Sequence, residues 1–407
     1  MYIKRDMENV ISRLSGEYPA ILVTGPRQTG KTTMLKELMK NTERVYVTLD
    51  DLNTRMLARS DPAMFFQLYR PPVLIDEVQY APELFTAMKI LIDRDRRPGD
   101  FWLTGSQVFR LMEGVQESLA GRLAVLPMSS LSQNEMYRKS ECPAFSPDMS
   151  DLVRRQKDTK AVDAQEIFRR IFKGGMPALA SGAYSDLNVF YSSYLSTYVE
   201  RDIRQLSGSI DSLSFMKFIT AAAARTAQLV NYAELARDCD IDQLTVKKWL
   251  NILETLGIVF FLQPWSNNVL NRTIKTPKLY FHDTGLVAWL TRWTSSDTLE
   301  AGAMSGALFE NYVVSEISKG CQNTGSRLDL FFYRDRDMKE IDVILEHDGK
   351  IWPMEIKKTT SPKRTSIEAF RVLEKSGIPR GTGVVLCCAA ELSAFDSLNL
   401  IVPVHLL

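Results

Sequence analysis

The chain has 407 residues, of which 45% are hydrophobic and 24% are charged, and its formal net charge is +1. This balance is typical of a globular protein with several domains, and it excludes a chain that is disordered or basic throughout. Five cysteines without C-x-x-C spacing indicate reduced thiols in a cytoplasmic protein, not a disulfide framework. No apolar run approaches roughly 18 residues, so we expect a cytoplasmic chain without a membrane span or a membrane partner.

Short apolar runs alternate with helix-periodic or polar stretches in residues 1–131, the first predicted domain. The runs are Ala20–Thr24, Val45–Leu49, Pro72–Ile75, Phe101–Thr104 and Leu123–Pro127. Alternation of this kind predicts an α/β domain in which helices cover a parallel sheet.

A glycine-rich motif follows the first of these runs and precedes a segment of helical spacing. The predicted nucleotide-binding residues are Gly25, Pro26, Arg27, Gln28, Thr29, Gly30, Lys31, Thr32 and Thr33. The spacing G-x-x-x-x-G-K-[ST] predicts a P-loop whose backbone N–H groups surround the phosphates of ATP at a helix N-terminus. Lys31 is expected to reach the β- and γ-phosphates, and the Thr32 hydroxyl is expected to ligate Mg²⁺.

Further candidate catalytic residues follow the third and fourth runs and precede the fifth. Asp76 is predicted to hold Mg²⁺ through water, and Glu77 to orient or deprotonate the attacking water. Ser106 is a candidate sensor of the γ-phosphate, and Arg122 is a candidate arginine finger for a neighbouring subunit's site. An ordinary surface role is the alternative for Ser106 and Arg122.

Residues 132–166 are polar and irregular, and we interpret them as a linker or excursion with some helix. A helical connector is predicted over 167–214, before a distinct pattern in 215–270. There, Asn231 and Glu234 form a capping-box pattern, Gln243–Leu256 has helical spacing, and an apolar strand follows Gly257. Helix, turn, helix and hairpin is the order of a winged helix-turn-helix.

Polar residues on the second helix of this motif are candidate DNA contacts. They are Thr245, Lys247, Lys248 and Asn251. Such side chains can meet phosphates or base edges, and the basic stretch at 271–278 favours the same interpretation. The alternative is a winged helix that binds protein, with the lysines on a solvated face.

Two alternating strands, 340–346 and 351–357, flank Asp348-Gly349 in the last predicted domain, 271–407. The dipeptide is a strong signal for a two-residue hairpin turn. With it at the turn centre, Asp342 lies opposite Glu355 on one face. Glu340 lies opposite Lys357 on that face, and Ile341, Val343, Leu345, Met354 and Ile356 lie on the other.

The order Asp342, Glu355, Lys357 is that of the PD-(D/E)XK nuclease core, and Glu310 on a preceding helix resembles the extra ligand of some members. Opposed carboxylates beside a lysine can hold Mg²⁺ and activate water against a phosphodiester. The alternative is the inactive polar face of a hairpin, with Glu340 and Lys357 as a cross-strand ion pair.

Several motifs occur together in one order along the chain. They are GPRQTGKT (25–32), VLIDEVQ (73–79), LTGSQ (103–107), SLAGR (118–122), YVERDI (198–203), TPKLYFHDTGL (276–286), GALFENYVVSEI (306–317) and EID…EIK (340–357). In this combination the chain resembles a family of AAA+ ATPases of bacteria and archaea with a C-terminal domain of unknown function. The resemblance implies an AAA+ core, a C-terminal winged-helix and restriction-endonuclease-like region, and self-association, with a ring as one form.

Three functions stay open at this point. The first is an ATP-driven motor or remodeller that acts on DNA, including branched DNA. The second is a metal-dependent nuclease gated by an ATPase switch. The third is a signalling or scaffold ATPase whose C-terminal half binds protein.

Overall fold

The computed structural model describes residues 2–106, 119–137, 143–199, 211–266, 276–326, 329–335 and 337–407. Parts of the predicted motifs lie outside these ranges: Gln107, Ser118, residues 200–203 of YVERDI and residues 271–275 of the basic stretch. None of the helices within the ranges is both long and apolar enough to cross a membrane.

The N-terminal part contains a parallel sheet that, in the described residues, has five strands in the order β2-β3-β4-β1-β5. The strands are β1 (Ala20–Thr24), β2 (Val45–Thr48), β3 (Val73–Asp76), β4 (Phe101–Gly105) and β5 (Leu123–Pro127). All five lie within one residue of the predicted apolar runs, which confirms the α/β prediction.

Helices cover both faces of this sheet, and its three central strands, β3, β4 and β1, are therefore buried at every position. The helices are α1 (Met7–Ser15), α2 (Lys31–Met39), α3 (Leu52–Ser60), α4 (Pro62–Leu68) and α5 (Glu83–Arg94), with a short 3₁₀ turn at Val78–Tyr80. Alternate strand residues point to opposite sides: Ile75 packs with Phe65 and Phe85 of α4 and α5, and Leu74 packs with Met34 and Ile11 of α2 and α1.

A helical region follows. Its helices are α6 (Gln133–Met136), α7 (Met149–Asp158), α8 (Ala164–Lys173), α9 (Pro177–Ala180), α10 (Leu187–Tyr194), which continues as a π-helical turn (Leu195–Val199), and α11 (Ser212–Ala223). Helix α7 lies within the polar stretch 132–166, where Arg155 is buried and donates to Leu406 O at 3.1 Å and Pro143 O at 2.7 Å. This stretch therefore packs against the C-terminal end of the chain.

The next segment is a helix-turn-helix with a small sheet. It contains β6 (Gln228–Leu229), α12 (Tyr232–Cys239), α13 (Gln243–Thr255), β7 (Val259–Pro264) and β8 (Lys278–Phe281). The side chains of Asn231 and Asp242 cap α12 and α13 by accepting backbone N–H groups of their first turns. Strand β8 is antiparallel to both β6 and β7.

The C-terminal region adds helices and strands to that small sheet. They are α14 (Thr284–Leu290), α15 (Ser296–Ala301), α16 (Ser305–Thr324), β9 (Asp329–Arg334), β10 (Glu340–His347), β11 (Lys350–Lys357), a 3₁₀ segment (Arg364–Ser376), β12 (Gly383–Cys387), β13 (Ser393–Asp396), β14 (Asn399–Pro403) and a last 3₁₀ turn (Val404–Leu406). Across the described ranges, the strands form one mixed sheet in the order β13-β14-β12-β11-β10-β9-β7-β8-β6. The sheet is continuous because β7 pairs with β9 as well as with β8.

The hairpin β10–β11 has the predicted register, with Val343 opposite Met354 and with Asp348 and Gly349 both at positive φ in the turn. The predicted face of Ile341 is wrong. The register between β10 and β9 shifts between Ile341 and Ile344, as at a β-bulge, and Ile341 packs with Ile344 while Val343 packs in the main core.

Candidate nucleotide-binding site and a C-terminal carboxylate cluster

The glycine-rich loop connects β1 to the N-terminus of α2. Gly25 and Gly30 have φ values of 136° and 91°, a region that favours glycine. At Gly25 a Cβ atom would lie 2.1 Å from Met128 O, so no larger residue fits. Lys31 is buried, and its Nζ donates to the carbonyl oxygens of Gly25 and Pro26 at 2.9 and 2.7 Å. The loop is therefore closely packed on the segment that follows β5.

Asp76, at the end of β3, lies beside this loop. Thr32 Oγ1 donates to Asp76 Oδ1 at 2.6 Å, and Tyr46 OH donates to Asp76 Oδ2 at 3.2 Å. The hydroxyl of Thr104, at the end of β4, also donates to Oδ1. The two predicted metal-binding residues, Thr32 and Asp76, are thus in direct contact at the carboxyl edge of the sheet.

Glu77 adopts a left-handed backbone conformation with φ of 59°, and its N–H donates to Thr104 Oγ1 at 3.0 Å. Its carboxylate accepts hydrogen bonds from Gln79 Nε2 and from Ser106 Oγ, the latter at 3.4 Å. Ser106 therefore lies next to Glu77. The buried Gln79 was missed by the sequence analysis, although the motif VLIDEVQ contains it.

Arg122 lies away from this constellation. Its Nε donates to Asp93 Oδ1 of α5 at 2.7 Å, and its Nη1 donates to Ala120 O at 3.1 Å. Both side chains of the ion pair are partly exposed. Its role as an arginine finger in a neighbouring subunit stays a prediction.

A cavity of about 370 Å³ opens beside the loop. Its walls include Tyr2, Ile3, Gln28, Gly30, Thr33, Pro177, Ser181 and Tyr184. The first residues of the chain form one side and α9 with its following turn forms the other. Ligand pockets for drug-sized molecules have volumes of roughly 300–1,000 Å³, so the cavity is large enough for a nucleoside.

Arg5 supports the glycine-rich loop through hydrogen bonds. The sequence analysis missed this residue, because a single arginine near an N-terminus belongs to no recognisable motif. The side chain is buried: Nη1 donates to Thr29 O at 2.8 Å, Nη2 to Ser129 O at 2.9 Å, and Nε pairs with Glu135 at 2.8 Å. One guanidinium therefore joins the loop to the segment 128–135.

The segment 128–135 is in turn bound to the C-terminal region. Ser129 Oγ donates to Gln322 Oε1 at 2.6 Å, and the Gln133 N–H donates to Glu316 Oε2 at 2.7 Å, both on α16. The loop itself meets the end of α13, where a Cβ atom on Gly257 would lie 2.9 Å from Pro26 Cδ. The P-loop thus has two contact routes to the C-terminal half.

The motif FHD at 281–283 lies at the same junction. His282 is half-buried near Ser129, and desolvation, with Lys319 as a further cause, lowers its pKa to about 3, so its ring is neutral. Asp283 accepts hydrogen bonds from the Gly175 N–H and from Tyr191 OH, both at 2.7 Å. The motif therefore ties α14 to the helical region.

The candidate DNA contacts lie on α13. Lys247, Lys248 and Asn251 are exposed, and Lys247 Nζ lies 5.3 Å from the centre of the Tyr232 ring. Thr245 is half-buried, and its hydroxyl donates to the capping carboxylate of Asp242. The Thr245 hydroxyl is therefore engaged in the helix cap.

The structure brings together all four residues of the candidate nuclease site. Lys357 Nζ lies 2.6 Å from Glu355 Oε1 and 3.9 Å from Asp342 Oδ2, and the Ile356 N–H donates to Asp342 Oδ2 at 2.8 Å. Glu310, on α16, accepts from Tyr280 OH at 2.7 Å. We call Glu310, Glu340, Asp342 and Glu355 the carboxylate cluster.

A further lysine enters this cluster from β8. Lys278 Nζ lies 2.6 Å from Glu340 Oε1, 3.1 Å from Glu310 Oε1 and 4.0 Å from Asp342 Oδ1. The alternative ion pair between Glu340 and Lys357 is therefore wrong, because each side chain binds a different partner. The sequence analysis missed Lys278, although the motif TPKLYF contains it.

Burial, together with the charge of Asp342, raises the pKa of Glu310 to about 7 and that of Glu355 to about 8. Burial also raises the pKa of Asp342, against the opposing effect of Lys278. For Lys278, burial lowers the pKa, but the neighbouring Glu310, Asp342 and Glu340 outweigh it and raise the pKa overall. The cluster therefore favours the charged form of Lys278. Its carboxyl groups also keep their protons to a higher pH than exposed carboxyl groups do.

Three family models match successive parts of the chain. An AAA domain matches residues 17–137, a domain of unknown function (DUF8612) matches 164–297, and another (DUF4143) matches 305–407. Two uncharacterized proteins, Mb2031c of Mycobacterium bovis and Rv2008c of Mycobacterium tuberculosis, are each 29% identical over 361 residues, which is 88% of this chain and 75% of theirs.

Solved structures overlap with the chain at low similarity. The Walker-type ATPase PABY2304 of Pyrococcus abyssi is 14% identical with a TM-score of 0.42, and the match covers 70% of this chain and 94% of that one. The RuvB Holliday junction branch migration motor of Thermotoga maritima is 15% identical with a TM-score of 0.31, covering 63% and 88%. Similarity at this level carries no conclusion about the function of this chain.

The order of the matched domains agrees with the order of the motifs. The glycine-rich loop, Asp76 and Glu77 all lie within the matched AAA domain, and the carboxylate residues from Glu310 onward lie within the last matched domain. Residues 17–137 therefore match an AAA domain and residues 305–407 match a C-terminal domain of unknown function, in the order that the motifs indicated.

Proposed function

We propose that the chain binds ATP with Mg²⁺ at the P-loop, hydrolyses it, and uses the resulting movement to remodel DNA held by its C-terminal half. The observation that carries the proposal is the contact between Thr32 Oγ1 and Asp76 Oδ1, 2.6 Å long, directly beside the glycine-rich loop. A hydroxyl and a carboxylate paired at the start of α2 are the oxygen ligands that Mg²⁺ prefers with nucleotide phosphates.

Each residue of the site has a defined task in this proposal. The loop N–H groups and the N-terminus of α2 bind the phosphates, and Lys31 exchanges its carbonyl partners for phosphate oxygens. Thr32 would hold Mg²⁺ directly and Asp76 would hold it through water, and the ion would supply charge that neutralises the phosphates. Glu77 orients the attacking water and accepts its proton, and the cavity beside the loop takes the nucleoside.

Gln79 and Ser106 act on Glu77. Both donate hydrogen bonds to its Oε2, so they fix the carboxylate while its other oxygen can face water. A carboxylate fixed by neighbouring donors loses less freedom in the transition state, and this contributes to the rate. We propose that Ser106 senses the γ-phosphate indirectly, through its hydrogen bond to the Glu77 carboxylate.

The two contact routes from the loop support coupling to the C-terminal half. Pro26 meets the turn after α13, and the segment 128–135 binds α16. A movement of the loop on hydrolysis is therefore transmitted to α13, the helix with the candidate DNA contacts, through residues that pack directly against each other. Self-association, with Arg122 entering a neighbour's site, is part of the same proposal.

DNA is the proposed substrate because the element order around α13 is that of a winged helix-turn-helix, with Lys247, Lys248 and Asn251 on its exposed side. The nearby carboxylates of Glu234 and Asp238 are paired with Arg225, which offsets their negative charge beside this surface. A signalling or scaffold ATPase that binds protein with this surface is the competing proposal.

The test measures ATP turnover by wild type and Glu77→Gln, with and without linear and branched DNA. We expect turnover that rises with DNA and falls at least about a hundredfold in Glu77→Gln, while the mutant still binds ATP. Salt-sensitive DNA affinity that weakens in Lys247→Ala/Lys248→Ala supports the DNA surface. Turnover indifferent to DNA would favour the protein-binding alternative, and a variant with unchanged turnover would remove Glu77 from the proposed mechanism.

A further inference from the structure

Lys278 lies where a nuclease of the PD-(D/E)XK type needs its metal ion. Its Nζ faces carboxylate oxygens of Glu310, Glu340 and Asp342 at 3.1, 2.6 and 4.0 Å. The side chain is only 3% exposed, and its Nζ lies 5.6 Å from the centre of the Phe332 ring. The ammonium is therefore a built-in part of the cluster and not a mobile surface charge.

The oxygens that remain cannot replace those that Lys278 holds. Lys357 binds Glu355 Oε1 and lies near Asp342 Oδ2, which also accepts the Ile356 N–H. Glu355 Oε2 is buried without a hydrogen-bond partner and offers a single acceptor. Mg²⁺ in proteins keeps several waters but still needs one or two carboxylates that are open to it, and here those oxygens are held by the two lysines and a backbone N–H. No three His, Cys, Asp or Glu side chains in the described ranges are arranged to hold a metal ion.

Electrostatic repulsion also excludes a metal ion from the position of the Lys278 ammonium. An ammonium and a divalent cation repel each other strongly at the separation that a shared set of oxygens would impose, and burial weakens the screening. The residues present therefore do not fit a metal ion while Lys278 is in place. Removing Lys278 would take away the ammonium that pairs with Glu310 and Glu340, and a divalent cation can supply that positive charge instead.

We propose that Lys278 is the permanent cation of the carboxylate cluster, and that the cluster binds a divalent ion only when this ammonium is removed. The contact is an interlock between two parts of the fold, because Lys278 belongs to β8 beside the helix-turn-helix and the carboxylates belong to α16, β10 and β11. The cluster is then a clamp that fixes β8 to the C-terminal sheet, and not a nuclease centre.

The test is a titration of the nucleotide-free full chain with Mn²⁺, with free Mn²⁺ measured by electron paramagnetic resonance. The variants are wild type, Asp342→Asn, Lys278→Met and Lys278→Met/Asp342→Asn. Lys319→Met is the matched control, because Lys319 is equally buried and pairs with Glu316 at 2.9 Å outside the cluster. Circular dichroism establishes that each variant is folded.

We expect wild type and Asp342→Asn to bind the same amount of Mn²⁺, so that no wild-type site depends on Asp342. Lys278→Met should gain one site at least tenfold tighter than any in wild type, and the double variant should lose it. Lys319→Met should gain none. A folded Lys278→Met variant without a new site would overturn the proposal.

The comparison of wild type with Asp342→Asn decides the matter even if Lys278→Met fails to fold. An Mn²⁺ site in wild type that disappears in Asp342→Asn would overturn the proposal. Cleavage of plasmid DNA by wild type with Mn²⁺ that is lost in Asp342→Asn would do the same and would return the nuclease hypothesis. None of these outcomes depends on ATP turnover, so the inference and the proposed ATPase function fail separately.

Discussion

Glu77 has a backbone conformation that non-glycine residues seldom adopt, at a cost of about 1–3 kcal/mol. The conformation is maintained by hydrogen bonds at both ends: the N–H binds Thr104, and the carboxylate binds Gln79 and Ser106. Strain that is held in place by several partners beside a phosphate-binding loop is what a catalytic carboxylate requires, because its direction then does not depend on solvent.

Gln79→Leu should separate orientation from binding. Gln79 contacts Glu77 and not the P-loop, so we expect kcat for ATP to fall about tenfold to a hundredfold, with KM nearly unchanged. Steady-state kinetics across a range of ATP concentrations measures this split. Gln156 is a half-buried glutamine whose Oε1 accepts the Leu392 N–H in the C-terminal region, and Gln156→Leu should leave both constants unchanged. Equal loss in the two variants would argue against a positioning role.

Arg5→Met should destabilise the protein strongly. The change leaves Glu135 buried without its cation and frees the carbonyls of Thr29 and Ser129. Removal of one partner of a buried ion pair costs about 3–5 kcal/mol. Urea unfolding should therefore begin at a lower concentration, first in probes of the N-terminal domain. Arg13→Met removes an exposed pair with Glu17 and should change the midpoint little.

At the scale of elements, the hairpin β10–β11 was predictable because its register is set by the local turn Asp348-Gly349. The face of Ile341 was not, because the irregularity there belongs to the pairing of β10 with β9, which the hairpin sequence does not encode. Lys278 was missed for a related reason. It reaches the cluster from β8, far away in sequence, and only the tertiary fold brings the two together.

The same contrast holds for the P-loop domain. Strand positions and the meeting of Thr32 with Asp76 follow from motifs whose spacing reflects one local chemistry. Arg5 and Gln79 are single polar residues without a pattern, and their importance comes from burial, which periodicity alone does not reveal for polar side chains. The sequence analysis therefore identified the patterned residues of the loop and of the strand end, and it missed the single polar residues that hold them in place.

The carboxylate cluster should make stability fall as pH rises. The pKa of Glu355 is raised from 4.5 to about 8 in the folded chain, mainly by burial. Between these values the folded chain keeps a proton that the unfolded chain releases, so this contribution is complete below the lower value and is lost as pH passes the higher one. We therefore expect the urea midpoint to drop as the pH rises from 4.5 to about 8.

Glu355→Gln should flatten that dependence, because the amide cannot ionise. Glu391→Gln removes a carboxylate at an exposed position and should leave the wild-type slope unchanged. His282 contributes in a different window: its pKa is lowered to about 3, so it destabilises the fold only as pH falls below about 6.5. A slope that is identical in wild type and Glu355→Gln would contradict the assignment.

At the scale of the whole molecule, Gly257→Ala tests whether the C-terminal half acts on the P-loop. The added Cβ would lie 2.9 Å from Pro26 Cδ, and we expect ATP affinity to weaken severalfold as the loop shifts. Binding of a fluorescent ATP analogue measures this effect. Gly377→Ala is the matched control, because Gly377 has a similar positive φ and nothing within 4 Å of its Cβ.

Both alanine variants should lose about 1–2 kcal/mol from backbone strain. Only Gly257→Ala should change nucleotide affinity, since only its methyl group meets the loop. If the two variants bound the analogue equally well, the contact between Pro26 and the end of α13 would have no part in communication between the halves.

Strand β7 is hydrogen-bonded to β8 on one side and to β9 on the other. In addition, Lys278 on β8 forms an ion pair with Glu340 on β10. The helix-turn-helix and the C-terminal strands therefore belong to one continuous sheet, and we expect them to move as one rigid body. Under the proposed coupling to the P-loop, a ligand bound by α13 and a ligand bound beside β10 and β11 would rotate together in each ATP cycle.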